Sequence, residues 1–220
     1  AKRVKQEVNG KTGTVAEATR EMKRTPPPLL YDLTSLQRDA NRLMGLSAAK
    51  TLKIAQALYE QHKLITYPRT DSRYLPRDMI SGAKRAMQAL PDAYQPLVAG
   101  ALDMPKSFGR VFADDRVTDH HAIIPTGSKA DLMRLPEAER RVFDLIARRL
   151  IAAFYPDYEY ESAEVITVVG VHSFKTSGVT PRVEGWRALY RDAPEGKEAP
   201  PVPPIEPGET RPVQGVSVKQ

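Results

Sequence analysis

The sequence contains no cysteine, which at once removes disulfides, thiolate-ligated zinc and thiol nucleophiles from its chemistry. A reducing, cytoplasmic setting fits that composition. No apolar run approaches the about 18 residues of a membrane-spanning helix. The opening stretch AKRVKQEVNG has no apolar segment of the kind that marks a signal peptide. It also lacks an initiator Met and starts inside what reads as a strand, so a piece of a longer polypeptide is expected. Acidic residues are the minority, 27 against 33 Lys and Arg, for a net charge of +6. That balance favours a polyanionic partner, because each phosphate neutralised releases counterions. With 41% hydrophobic residues over 220 positions, the chain has material for one large or two modest cores.

Texture divides the chain into three zones. Residues 1–30 read as a hairpin, AKRVKQEV and TVAEATREMKR about the turn NGKTG, stopped by Pro26-Pro27-Pro28, which supply no N–H donors. Residues 31–154 are helical in pattern. TSLQ predicts Thr34 as an N-cap with Gln37 three positions on, and Leu36, Ala40, Leu43 and Met44 form one apolar stripe. Gly45 ends that helix and Ser47 caps the next, whose predicted inner face is Ala48, Leu52, Ala55 and Tyr59. With KLITY following, the reading is helix, turn, helix, strand. ISGAKRAMQAL predicts a short helix and EAERRVFDLIARRLIAAFY a long one, with Val142, Leu145, Ile146, Arg149 and Leu150 on one face. Arg140, Arg141, Arg148 and Arg149 read as a solvated helix face, although they could follow a phosphate backbone. Residues 155–220 turn to β texture in YEYESAEVITVVGVHSFKTSG and then to a proline-rich crossing; eight of the 19 prolines lie in the last forty residues. The expected fold is α+β: a β-rich domain built from two chain segments, 1–30 and 155–220, with the mainly helical, winged-helix-like block 31–154 inserted.

LITYPRTDSRYL, residues 64–75, carries the candidate chemistry. Pro68 pushes Tyr67 toward an extended conformation, so Tyr67 and Arg69 project to one side, with Asp71 joining them if the extension persists. A phenol beside a guanidinium suits phosphoryl transfer: the phenol oxygen attacks phosphorus while Arg69 holds non-bridging oxygens and offsets the growing charge. The plain alternative is a packing tyrosine followed by a turn, since Asp71 and Ser72 both hydrogen-bond local backbone readily.

A second cluster is RVTDHHAIIPT, residues 116–126. Adjacent His120 and His121 on a strand face opposite sides, and nothing at helical spacing completes a metal site with them, although Asp114, Asp115 and Asp119 are close in sequence. With Lys106, Arg110 and Arg116 just upstream, a histidine bonded to a phosphate oxygen fits better. His62 and His172 read as surface or edge residues, and Trp186 as a core or interface anchor rather than a base-stacking platform.

LYDLTSLQRDANRLMGLSAAKTLKIAQALYEQHKLITYPRTDSRYLP resembles the active-site region of type IA DNA topoisomerases, topoisomerase III branch; TDHHAIIPT resembles that branch's second signature, and FKTSGVTPRVEGWRALY a third segment. PPPLLYDLTSLQ matches the start of the family's helical domain, and the blocks keep the family order over nearly the whole chain. The resemblance implies that Tyr67 is a nucleophile forming a 5′-phosphotyrosyl bond to a cleaved single strand, and that Arg69 positions the scissile phosphate. It implies that His120, and less directly His121, meets DNA near that phosphate, with Thr70, Asp71, Ser72 and Arg73 as further DNA- or phosphate-binding residues. It further implies a mobile helical gate carrying Tyr67, an arch made by the β segments, and strand passage without ATP. The family binds Mg²⁺ through a separate acidic domain. No D-x-D cluster suited to it occurs in this chain, so no metal is expected here, and that domain of the same polypeptide is an expected partner alongside single-stranded DNA. A monomeric, nucleoid-associated bacterial enzyme is implied, with no membrane association.

Two other readings remain open on sequence. A winged-helix DNA-binding module would use the second helix for recognition and Arg69 and Arg73 in a wing, with Tyr67 merely packing. A tyrosine recombinase would need several basic residues ahead of its tyrosine, and Tyr67 comes too early for that.

Overall fold

The computed structural model describes residues 2–103, 110–117, 119–129, 131–190 and 199–217. Lys106, one of the basic residues noted upstream of the histidines, and Thr118 of the TDHHAIIPT block lie outside the described residues. The chain forms two compact units: residues 1–25, 158–184 and 192–220 make a sheet unit, and residues 26–157 with 185–191 make a helical unit. Antiparallel sheet beside helices is the α+β class expected from sequence. One stretch differs from expectation: Gly185–Tyr190 forms a 3-10 stretch inside the helical unit rather than continuing the sheet. There Trp186 packs at the edge of the core, its ring 5.9 Å from that of Tyr190.

In the sheet unit, four strands run in the order β3-β2-β1-β4, with β1 Thr12–Thr25, β2 Tyr158–Val169, β3 His172–Val183 and β4 Thr210–Pro212. All three pairings are antiparallel. The partner of β1 is therefore distant β2, paired from Thr14↔Val168 to Thr25↔Tyr158, and no local hairpin forms. Residues 2–8, expected as a strand, form the helix α1, Lys2–Val8. Its composition explains the correction. Lys, Arg, Gln and Glu dominate it, and Arg3 meets Glu7 one turn on at 2.7 Å. The turn signal NGKTG marks a helix-to-strand reversal instead. The proline-rich segment does cross a surface: Arg20 donates to the carbonyls of Val202 and Pro203, and a Cβ on Gly178 would overlap the backbone of Pro200 and Val202. Most residues of β1 and β3 are exposed or only partly buried. Arg20 and Arg182 both reach Glu161, at 2.7 and 3.1 Å, and their hydrogen bonds hold its carboxyl below the usual range.

The helical unit contains α2 Leu33–Met44, α3 Ala48–Glu60, α4 Ile80–Gln88, α5 Gln95–Asp103 and α6 Glu137–Ala152. Gly45 ends α2 in the left-handed conformation at φ 66°, which glycine adopts without a Cβ clash. Ser47 caps α3 by accepting from the Lys50 N–H. The start of α2 is corrected: Asp32, not Thr34, is the N-cap. Its carboxylate accepts from Ser35 N at 2.6 Å, while Ser35 Oγ accepts from Asp32 N. A carboxylate there also faces the positive end of the helix dipole. Replacing Asp32 by Ala is therefore expected to cost about 1 kcal/mol in urea unfolding, with Thr34→Ala nearly silent; the opposite ranking would contradict this assignment.

The buried face of α3 is Thr51, Ile54, Ala55 and Leu58, rotated from the predicted Ala48–Leu52–Ala55–Tyr59 stripe. Thr51 tolerates burial because its hydroxyl donates back to Ser47 O. Helix α6 runs through the core with Val142, Ile146 and Leu150 fully buried. Arg149, read from sequence as part of a solvated face, is only 9% exposed. It donates to Asp39 at 2.6 Å, to the Tyr31 hydroxyl at 2.7 Å and to Leu29 O at 3.1 Å, and lies 3.9 Å from the Tyr31 ring. Burial pushes the Tyr31 hydroxyl far above the ordinary tyrosine range.

Candidate active site

Three stretches far apart in sequence are woven together around Tyr67. Thr66 is the hub. Its N–H donates to Ile124 O, its hydroxyl donates to Ala122 O, and that hydroxyl accepts from Ile124 N, all between 2.9 and 3.1 Å. The expected strand behind the helices reduces to isolated bridges, Ile65↔Pro125, Tyr31↔Ile123 and Leu75↔Phe112. Leu33 N donates to Thr70 O, and Ala122 N donates to Tyr74 O, so the tyrosine segment is pinned on both sides. A protruding wing is not what these contacts describe.

Burial along the segment sorts its residues. Pro68, Thr70 and Ser72 are buried, while Arg69 and Asp71 are exposed. The chain bends at Pro68 and Arg69, so the extended run anticipated from sequence stops there. Thr70 donates to His120 O at 3.2 Å and accepts from Ser72 N. Ser72 donates to Arg116 O at 3.1 Å. Both hydroxyls are thus engaged in joining this segment to the histidine segment, whereas the sequence assigned them to DNA. Arg73 is half-buried and donates from Nε to Leu30 O, a further tie within the fold.

Beside the bend lies an open cavity of about 490 Å³. Asp32, Leu33 and Thr34 from the start of α2 line it, with Leu52 from α3, Arg69, Thr70 and Asp71 from the tyrosine segment, and Asp119 and His120 from the histidine segment. Tyr67 stands next to it. Its ring centroid is 4.4 Å from that of His120, tilted by 46°, and 5.5 Å from that of Tyr59, edge-on at 78°. His121 does not line the cavity; its Nδ1 lies 2.8 Å from Ala122 O. The structure therefore brings Tyr67, Arg69, Asp71 and His120 together and leaves Ser72, Arg73 and His121 outside the cavity, with Thr70 forming part of its wall.

Several residues of this site were not picked out as functional from sequence. Leu52 and Tyr59 had been placed in the core, yet their seven-residue spacing, two helical turns, sets both on the face toward the site. Asp32 and Thr34 enter because the helix starts two residues earlier than the TSLQ pattern suggested. The cavity is mixed in charge, with three aspartates against Arg69 and His120. It thus differs from a plain phosphate-binding patch, and Arg69, exposed at its rim, is the cation available to a phosphodiester. Among the described residues no group of three His, Asp or Glu stands close enough together to hold a metal ion. The described residues therefore offer no such group for Mg²⁺.

Comparison with known proteins gives a consistent answer. A protein-family model described as DNA topoisomerase matches residues 1–220. The DNA topoisomerase 3 of Bacillus subtilis (strain 168) is 42% identical over 198 residues, covering 89% of this chain and 27% of that protein. The DNA topoisomerase 3 of Bacillus licheniformis is 39% identical over 218 residues, 96% of this chain and 30% of that protein. The chain thus spans under a third of these curated relatives' length. Among solved structures, full-length topoisomerase I from Thermotoga maritima shares the fold, with a TM-score of 0.68 over 96% of this chain and 34% of that one, at 23% identity. With its family match end to end and its relatives in one branch, this chain belongs to the type IA DNA topoisomerases, on the topoisomerase III side of the family.

Proposed function

We propose that the chain is the central part of an enzyme that breaks and rejoins single-stranded DNA through a phosphotyrosine at Tyr67, allowing another strand to pass. The observation that carries this reading is that Tyr67 lies against the ring of His120, which lines one open cavity together with Arg69. Tyr67 Oη attacks the scissile phosphorus and loses its proton. The bond from phosphorus to the 3′-oxygen breaks, and that oxygen takes up a proton as it leaves, so the 5′-phosphate stays on the tyrosine. Resealing is the reverse attack by the 3′-hydroxyl. Each step exchanges one phosphodiester for another, so no ATP is needed. Arg69 offsets charge on the non-bridging oxygens, and His120 stands beside the nucleophile within reach of the same phosphate.

Mg²⁺ would come with a separate domain of the same polypeptide, and nothing in the steps above passes through it. Between the two steps the helical unit would act as a gate and the sheet unit as part of an arch, moving about the four chain crossings near residues 25, 157, 184 and 191. A monomeric bacterial enzyme working on nucleoid DNA in the cytoplasm is the setting this implies. Among the described residues no helix is long and apolar enough to cross a membrane.

The test is covalent trapping. A polypeptide joining this chain to a metal-binding domain is incubated with labelled single-stranded DNA and Mg²⁺ and stopped with SDS. An adduct supports the proposal, whereas DNA binding without one would leave the winged-helix module as the better description. The chain alone is expected to bind single-stranded DNA weakly and not cleave it; relaxation of supercoiled DNA by it would contradict the division of labour proposed here.

A further inference from the structure

Tyr67 reaches its position without help from its hydroxyl, which makes no hydrogen bond among the described residues. Two rings hold it instead, those of His120 and Tyr59. His120 lines the cavity and is exposed, so it is placed to meet substrate. Tyr59 sits differently. It projects from α3, a helix anchored in the core by Ile54, Ala55 and Leu58, and its ring is half-buried against that core. Its backbone is therefore fixed, and its ring presents an edge-to-face contact to the Tyr67 ring. Lys63 Nζ stands 5.8 Å from the centre of the Tyr59 ring, a further contact on it.

From this geometry we infer that Tyr59 is a positioning residue for Tyr67, holding the phenol ring at its attack angle while leaving the oxygen unengaged. The inference rests on the phosphotyrosine reading above. Its chemical logic is direct. A hydrogen bond to the phenol oxygen would stabilise the waiting nucleophile and have to break before attack, whereas a ring contact restrains direction without touching the reacting atom. Restricting a nucleophile to near-attack orientations raises the rate without changing substrate affinity. The hydroxyl of Tyr59 has no part in this, so a phenylalanine should serve equally well.

The experiment compares Tyr59→Phe and Tyr59→Leu with the unmodified protein, each in the polypeptide that includes the metal-binding domain. Adduct formation on a labelled single-stranded oligonucleotide is followed in a single turnover over a range of protein concentrations. Tyr59→Leu is expected to slow the saturating rate roughly tenfold, the worth of a lost edge-to-face pair, with the half-saturating concentration unchanged. Tyr59→Phe is expected to match the unmodified rate. Unchanged affinity in the Leu variant also shows that it has folded. The inference is overturned if Tyr59→Leu reacts at full rate, if Phe is as slow as Leu, or if affinity rather than rate falls, since Tyr59 would then be contacting DNA. An unmodified protein that forms no adduct would overturn the phosphotyrosine reading itself, and Tyr59's role with it.

Discussion

Tyr67→Phe is expected to abolish the covalent protein–DNA adduct while leaving affinity for single-stranded DNA intact. Phenylalanine retains the ring that His120 approaches to 4.4 Å and Tyr59 to 5.5 Å, so the local packing survives. What disappears is a single oxygen that makes no hydrogen bond among the described residues, and so nothing structural is left unsatisfied by its loss. The substitution thereby separates reaction from binding more cleanly than a change at Arg69 would, because Arg69 bears on both. The measurement is SDS trapping beside fluorescence anisotropy, on the polypeptide that includes the metal-binding domain. An adduct persisting in the Phe variant would move the nucleophile elsewhere. Loss of binding together with the adduct would instead mean that Tyr67 holds DNA rather than cutting it.

The largest effect on stability is expected at Arg149. Its guanidinium joins α6 to Asp39 on α2, to the Tyr31 hydroxyl and to Leu29 O, ahead of the segment that leads into the Asp32 cap. Replacing it by Met retains much of the volume but takes the closest cation from the Asp39 carboxylate, which keeps the Tyr31 hydroxyl and Arg42 as donors, and removes the Arg149 donor from Leu29 O. Breaking a buried pair by removing one partner costs about 3–5 kcal/mol, and urea unfolding should show a loss of that order. The double variant Arg149→Met with Asp39→Asn should recover part of it, since the half-buried Asp39 charge is then removed and only the more exposed Arg42 loses a partner. A loss below about 1 kcal/mol would mean that the pair behaves like a surface one.

The same pair sets an acid limit. Burial alone would raise the Asp39 carboxyl, but the hydrogen bond from Tyr31 and the charge of Arg149 outweigh it, so the folded-state pKa lies below the ordinary aspartate value. A depressed carboxyl contributes stability that is complete above the unfolded value and is lost as pH falls through the folded one. Stability should therefore fall below about pH 4 in the native protein, and less steeply in Asp39→Asn.

These predictions rest on different kinds of information. The motif TYPRTDSRYL and the block TDHHAIIPT were legible as a chemical pair before any coordinates, as were Gly45 and Ser47 at the α2–α3 corner. Those signals are local: a proline restricts its neighbour, a glycine accepts a positive φ, a serine caps the helix that follows it. The β character of 158–183 was legible for the same reason, since branched and aromatic residues there favour extended backbone wherever they pair.

Where the sequence alone misled, a remote contact had decided the matter. Residues 2–8 had strand-like turn chemistry after them, but β1 found its partner in β2, more than a hundred residues away, and left them free to coil as α1. The face of α3 could be rotated by one position without violating its periodicity. Packing in the core chose Thr51, Ile54 and Leu58, and so turned Leu52 toward the cavity and Tyr59 toward Tyr67. Thr70 and Ser72 look like phosphate ligands beside the candidate tyrosine, yet backbone carbonyls of the histidine segment claimed their hydroxyls. Arg149 was read as a solvated charge, and it became buried because Tyr31 and Asp39 could surround it. The sequence by itself determined which residues are candidates for the chemistry, because a proline bend and a motif act over a few bonds. Only the tertiary structure decided which of those candidates face the cavity, which hold the fold together, and which rings lie against Tyr67, because those choices depend on partners that no local pattern contains.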